Sequence, residues 1–117
     1  MYMSNSNSNS NVPQELRNFG IRRMNIKRIH AGGDGLNNSH IPSSIGLLKD
    51  LTHLYLQDNN LTKLPESIGN LTNLRVLQLN NNKLKSLPSS IRNLKNLQIL
   101  QLNNNKLESV PPQIISL

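Results

Sequence analysis

The stretch LTHLYLQDNNLTKLPESIGNLTN, residues 51–73, is followed without a gap by two more that match it position for position. These are LRVLQLNNNKLKSLPSSIRNLKN, residues 74–96, and LQILQLNNNKLESVPPQIISL, residues 97–117, so the period is 23. All three read L-x-x-L-x-L-x-x-N-x-L-x-x-[L/V]-P-x-x-I-x-x-L, and the one departure within that template, Val110 for Leu64 and Leu87, is like for like. Self-similarity at such a period marks a solenoid, in which each unit buries its apolar face only against its neighbours.

The chemistry of the template dictates the course of the chain. Leu54 and Leu56 alternate with His53, Tyr55 and Gln57, which is the period of a strand buried on one face. Each unit therefore adds one strand to a parallel sheet. Asn59, Asn82 and Asn105 fall where the chain leaves the strand, and an amide side chain offers both donors and an acceptor to the unpaired backbone of a bend. Stacked units should thus carry an asparagine ladder. Pro65 then opens a short helical or 3₁₀ segment, since its missing N–H would find no partner there. Ile68 and Leu71 fall on one face of that segment and close the core from the convex side. The expected fold is an α/β solenoid, an arc with a parallel sheet on its concave face and short helical or 3₁₀ segments on its convex face.

These motifs resemble the leucine-rich repeat family, whose strand signature is L-x-x-L-x-L-x-x-N-x-L. The length of 23 with L-P-x-x-I-x-x-L in the second half is similar to the subclass of Ras-associated scaffold proteins and the plant intracellular Ras-group relatives. The resemblance covers residues 41–117 and implies a non-enzymatic scaffold that binds other proteins. It puts a small GTPase or a signalling kinase among the partner classes, although no residue singles one out.

Upstream the pattern decays. Ile41, Pro42, Ile45 and Leu48 form a complete second half, and Val12, Pro13, Leu16 and Phe19 repeat the same spacing. Ile21, Met24 and Ile26 then read as a worn strand. From Val12 to Ile41 is 29 residues, six more than the period, and the surplus is assigned to a flexible loop in Lys27 to His40, where Gly32, Gly33 and Gly35 cluster. Residues 12–40 are accordingly read as a degenerate N-terminal repeat acting as a cap. Residues 1–11, dominated by alternating Ser and Asn, are a low-complexity polar tail without a basic start or apolar region that would make them a signal peptide.

Composition narrows the function classes. With no Cys the disulfide-bonded caps of extracellular relatives are excluded, and a reducing, cytoplasmic location is expected. The sequons at Asn37, Asn60 and Asn70 are then products of an Asn-rich repeat rather than glycosylation sites. No stretch approaches a membrane span. His30, His40 and His53 have neither metal-ligand spacing nor a Cys beside them. The Gly32-Gly33-Asp34-Gly35 run lacks the Lys-Ser/Thr that a phosphate loop needs, and the acids Asp50, Asp58, Glu66 and Glu108 occupy unrelated repeat positions. No catalytic site, metal or cofactor is expected.

Function is then sought on the concave face. Position three of each unit reads Arg23, His53, Val76, Ile99; position five reads Asn25, Tyr55, Gln78, Gln101; position seven reads Lys27, Gln57, Asn80, Asn103. Val76 and Ile99 are apolar residues that the core does not ask for, and beside Tyr55 they form the centre of a contact patch rimmed by His53, Gln57, Arg75, Gln78 and Gln101. Four strands about 4.8 Å apart span only about 15 Å, short of the roughly 800 Å² that a standard interface takes from each partner. The alternative is an anion-binding adaptor for nucleic acid or acidic lipid. The net charge is +7 and Arg22, Arg23, Lys27 and Arg28 cluster, but one Phe and no Trp leave little to stack bases. The last unit ends on Ile114, Ile115 and Leu117 without a polar cap, which reads as a piece of a longer array or as an end prone to self-association through the strand Leu97 to Leu102.

Overall fold

In a computed structural model of the protein, residues 11–36 and 41–109 are described. Four three-residue strands form one parallel sheet in chain order: β1 (Arg28–His30), β2 (His53–Tyr55), β3 (Val76–Gln78) and β4 (Ile99–Gln101). Their register is the repeat register, with Ile29 opposite Leu54, Leu54 opposite Leu77, and Leu77 opposite Leu100. Backbone pairing runs past the strands at both ends, from Thr52 N–H to Lys27 O (2.8 Å) and Arg75 N–H to Thr52 O (2.8 Å) at the entry, to Asp58 N–H to Asn80 O (3.0 Å) and Asn81 N–H to Asn103 O (2.9 Å) at the exit. Adjacent units are thus tied along their whole ascending edge.

Every template leucine between Leu51 and Leu79 is buried, and those of β2 and β3 and their exits (Leu54, Leu56, Leu77, Leu79) are wholly so. The side opposite the sheet is closed by 3₁₀ segments at Ser43–Leu47, Glu66–Asn70 and Ser89–Asn93. Each is preceded by proline (Pro42, Pro65, Pro88) in extended geometry, whose carbonyl accepts from the isoleucine three residues on at 3.0–3.1 Å. Those isoleucines, Ile45, Ile68 and Ile91, are buried. The convex segments stack closely because Gly46 and Gly69 have no side chain: a Cβ on Gly69 would lie 2.5 Å from Ser90 O, and one on Gly46 2.6 Å from Ser67 O. Arg92, at the same place in the third unit, is exposed.

The turn after each strand needs a left-handed residue. Position eight supplies it as Asp58 (φ 59°), Asn81 (φ 61°) and Asn104 (φ 60°), with Gly33 (φ 76°) in the first unit, the residue types that reach this region at least cost. Position nine then turns inward. Asn82 accepts from Leu61 N–H and donates to Leu56 O and Leu79 O, all at 3.0 Å. Asn59 does the same with Leu36 N–H, Ala31 O and Leu56 O, and Asn105 with Leu84 N–H, Leu79 O and Leu102 O.

The N-terminal unit departs from the sequence reading. Its strand is Arg28–His30, not the stretch from Ile21 to Ile26, and Arg28 pairs with His53. The template lies five residues further on, as Ile26, Ile29, Ala31, Asp34 and Leu36, with Asp34 at the asparagine position. Gly32, Gly33 and Gly35 therefore form the strand-exit turn and are not an inserted loop. Four of the six surplus residues lie between Phe19 and Ile26, after the short helix Gln14–Asn18, and two lie between Leu36 and Ile41. Tertiary pairing overrode a similar-looking apolar spacing: Ile29 and Ala31 are buried, while Met24 and Ile26 are only half-buried against the core. The closing residues Ile114, Ile115 and Leu117, and the tail before residue 11, lie outside the described residues. β4 has a strand neighbour on one side among them.

Candidate functional site

Alternation along the strands sends position four into the core and positions three and five to the concave face. With the register corrected, position three reads Arg28, His53, Val76, Ile99 and position five reads His30, Tyr55, Gln78, Gln101. Arg23, Asn25 and Lys27 do not belong to these columns. The face is graded from end to end: Arg28 and His30 are exposed, His53, Tyr55 and Gln78 half-buried, and Ile99 and Gln101 exposed. Val76 is a second correction, because only 8% of it is exposed. Its rung has a neighbour on each side, His53 and Ile99, so it belongs to the floor and is no open anchor. Ile99, 46% exposed, is the apolar residue that the face presents.

An aromatic group occupies the other half. Tyr55 stacks on His30, with ring centroids 4.6 Å apart and planes 16° off parallel, and lies 6.1 Å from His53 in a tilted contact. His53 is oriented by Thr52. The Thr52 hydroxyl lies 3.0 Å from Lys27 O and 2.8 Å from His53 Nδ1, a hydrogen bond that holds the imidazole in place. Burial, then the charges of Arg28, Arg75 and His30, hold the His53 pKa below its ordinary value of 6.5.

The sequence cluster Arg22, Arg23, Lys27 and Arg28 is divided by the fold. Arg22, Arg23 and Arg28 line a cavity of about 480 Å³ at the N-terminal end, floored by Phe19, Ile21, Ile26 and Ile29, with Asp34 at its rim. Lys27 instead joins Arg75, Thr52 and Asp50 in a cleft of about 210 Å³ at the strand entrance. Arg28 belongs both to the cavity and to the concave face. Among the described residues, the side chains of Arg28 and Arg75 have no hydrogen bond or ion pair. At position seven, Gln57 Oε1 and Asn80 Oδ1 are buried and accept no hydrogen bond among them.

A profile of the leucine-rich repeat region matches residues 66–117, and a single leucine-rich repeat profile matches residues 50–71. A solved leucine-rich repeat protein of Leptospira interrogans is 37% identical over 88% of this chain, with a TM-score of 0.74. The chain belongs to the leucine-rich repeat family. It spans 25% of the length of the Leptospira protein, and no curated protein sequence matches it.

Within a leucine-rich repeat the leucines, isoleucines, prolines and position-nine asparagines are accounted for by folding alone. What remains particular to this chain on the concave face is Arg28, His30, His53, Tyr55, Arg75 and Ile99, with the amides of Gln57, Gln78 and Gln101. The sequence reading does not place His30 on this face, because it sets the first strand five residues early; I-x-x-I-x-A-x-x-D-x-L from Ile26 is the signal that locates it. Also missed was an exposed ladder of the left-handed residues, in which Asn81 Nδ2 donates to Asp58 Oδ1 and Asn104 Nδ2 to Asn81 Oδ1, both at 2.6 Å. Among the described residues no group of three or more His, Cys, Asp or Glu is placed to hold a metal, and no helix is long and apolar enough to cross a membrane.

Proposed function

We propose that this chain is a non-enzymatic protein-interaction module that docks a partner on its concave sheet. The observation that carries the reading is the group His30, Tyr55 and His53, set on the same face as the exposed Ile99, none of which the leucine core requires. Rigid aromatic and aliphatic side chains supply most of the energy of interfaces, and these stand on strands fixed by the ladder beneath them. The resemblance to Ras-associated scaffolds supports a place in cytoplasmic signalling, with small GTPases and signalling kinases as partner classes. Because four strands span only about 15 Å, the repeat edges or further repeats contribute to any stable complex.

The test is capture of the partner from the native cell by the tagged chain, followed by mass spectrometry. Tyr55→Ala and Ile99→Glu should abolish the capture while leaving the melting curve intact. Glu66→Ala on the convex side should leave it unchanged. Capture that survives both concave substitutions and fails with the convex one would place the interface elsewhere. Val76→Glu is not a useful probe, since burying a carboxylate at that position would disturb the fold.

A further inference from the structure

We propose that the partner segment taken by the concave face is an acidic peptide in extended form, with a carboxylate seated among Arg28, His53 and Arg75. The inference rests on the reading of that face as a docking surface and adds the chemistry of its occupant. Two features of the face point to it.

The first is charge. His53 stands opposite Arg28 on β1 and beside Arg75 at the entrance to β3, and both guanidinium groups raise the potential at its ring. Among the described residues neither guanidinium has an intramolecular carboxylate or carbonyl partner. Asp50 shares the cleft of Arg75 with Lys27 but forms no ion pair with Arg75, so two unpaired guanidinium groups either side of a histidine form a site complementary to a carboxylate, which they bind through charge-assisted and often paired hydrogen bonds. The second is the row of half-buried Tyr55 and Gln78 and exposed Gln101, which offers a ring face and amides along the path of an extended chain. An acidic peptide is favoured over nucleic acid because His30 already covers one face of Tyr55, leaving little aromatic surface for bases.

The site carries its own pH response. In the free protein Arg28 and His30 from β1 and Arg75 from β3 disfavour the protonated ring of His53. A bound carboxylate reverses that field, so the complex takes up a proton at the His53 imidazole and tightens as pH falls. A difference of about one pKa unit between free and bound His53 corresponds to a tenfold change in Kd.

The experiment is fluorescence anisotropy of the full chain with a labelled Glu-rich peptide, its Gln-rich counterpart and a thymidine oligonucleotide, at about pH 7.5 and about pH 5.5. The Glu peptide should bind and the Gln peptide should not. Arg28→Ala and Arg75→Ala should each weaken binding roughly tenfold. His53→Gln should remove the tightening at low pH, and Arg22→Ala and Arg23→Ala should leave Kd unchanged. Equal binding of the two peptides, stronger binding of the oligonucleotide, or loss with Arg22→Ala in place of Arg28→Ala would each overturn the proposal. Partner capture that needs Tyr55 and Ile99 but ignores Arg28 and Arg75 would also overturn it, while leaving the docking reading standing.

Discussion

Replacing Asn82 by Ala strikes the asparagine ladder at a buried, central rung. The side chain is 7% exposed and makes three bonds of 3.0 Å, but their loss is not equal. Leu56 O keeps the amide of Asn59 and Leu79 O keeps that of Asn105, so each carbonyl falls from two donors to one. Leu61 N–H, whose partner is Asn82 Oδ1, is left stranded in the turn. Stranding one buried N–H costs about 1–3 kcal/mol, and two thinned carbonyls add about 0.5 kcal/mol each. A loss of about 2–4 kcal/mol is therefore expected, a large part of the stability of a small domain. Asn105→Ala should cost less, because Asn105 is only half-buried. Urea unfolding followed by circular dichroism measures both, with the slope checked because repeat arrays can lose cooperativity. An Asn82→Ala midpoint within error of the unsubstituted chain would refute the ladder as a source of stability.

Gly69→Ala places a Cβ 2.5 Å from Ser90 O, and such overpacking should cost about 1–3 kcal/mol in the same urea assay. Asn81→Gly and Asn81→Val both lose the exposed side-chain bonds to Asp58 and Asn104, but Asn81→Val should cost about 1–2 kcal/mol more than Asn81→Gly, since φ there is 61° and the β-branched residue is strained by it. The lowered pKa of His53 has a definite sign: below pH 6.5 the unfolded chain takes up the proton before the folded one does. Stability should thus fall as pH drops through that value, and His53→Gln should flatten the decline in the urea midpoint.

The central repeats were legible because each apolar position in them has one role. Leu54, Leu77 and Leu100 recur at a fixed spacing and pair as that spacing requires. The N-terminal strand was not, because Ile21, Met24, Ile26 and Ile29 offer two overlapping spacings. Pairing with β2 and burial of Ile29 select between them. The concave face was legible as a surface but not in its burial. Val76 looks like Ile99 in the sequence, yet it lies between two occupied rungs and is covered. The stack of His30 on Tyr55 depended on the misplaced strand, so it emerged only with the register. The exposed Asp58, Asn81 and Asn104 ladder was readable in retrospect, since Gly33, Asp58, Asn81 and Asn104 are the residue types that a left-handed turn selects.

The claim that function resides on the concave sheet is tested most directly by photo-crosslinking in the native cell. A photoreactive residue is placed at Gln78 on that sheet in one version of the chain and at Glu66 on the convex side in another. The account predicts one discrete crosslinked protein from Gln78, identified by mass spectrometry and lost when Tyr55→Ala is added, with none from Glu66. A discrete product from Glu66 alone would contradict it.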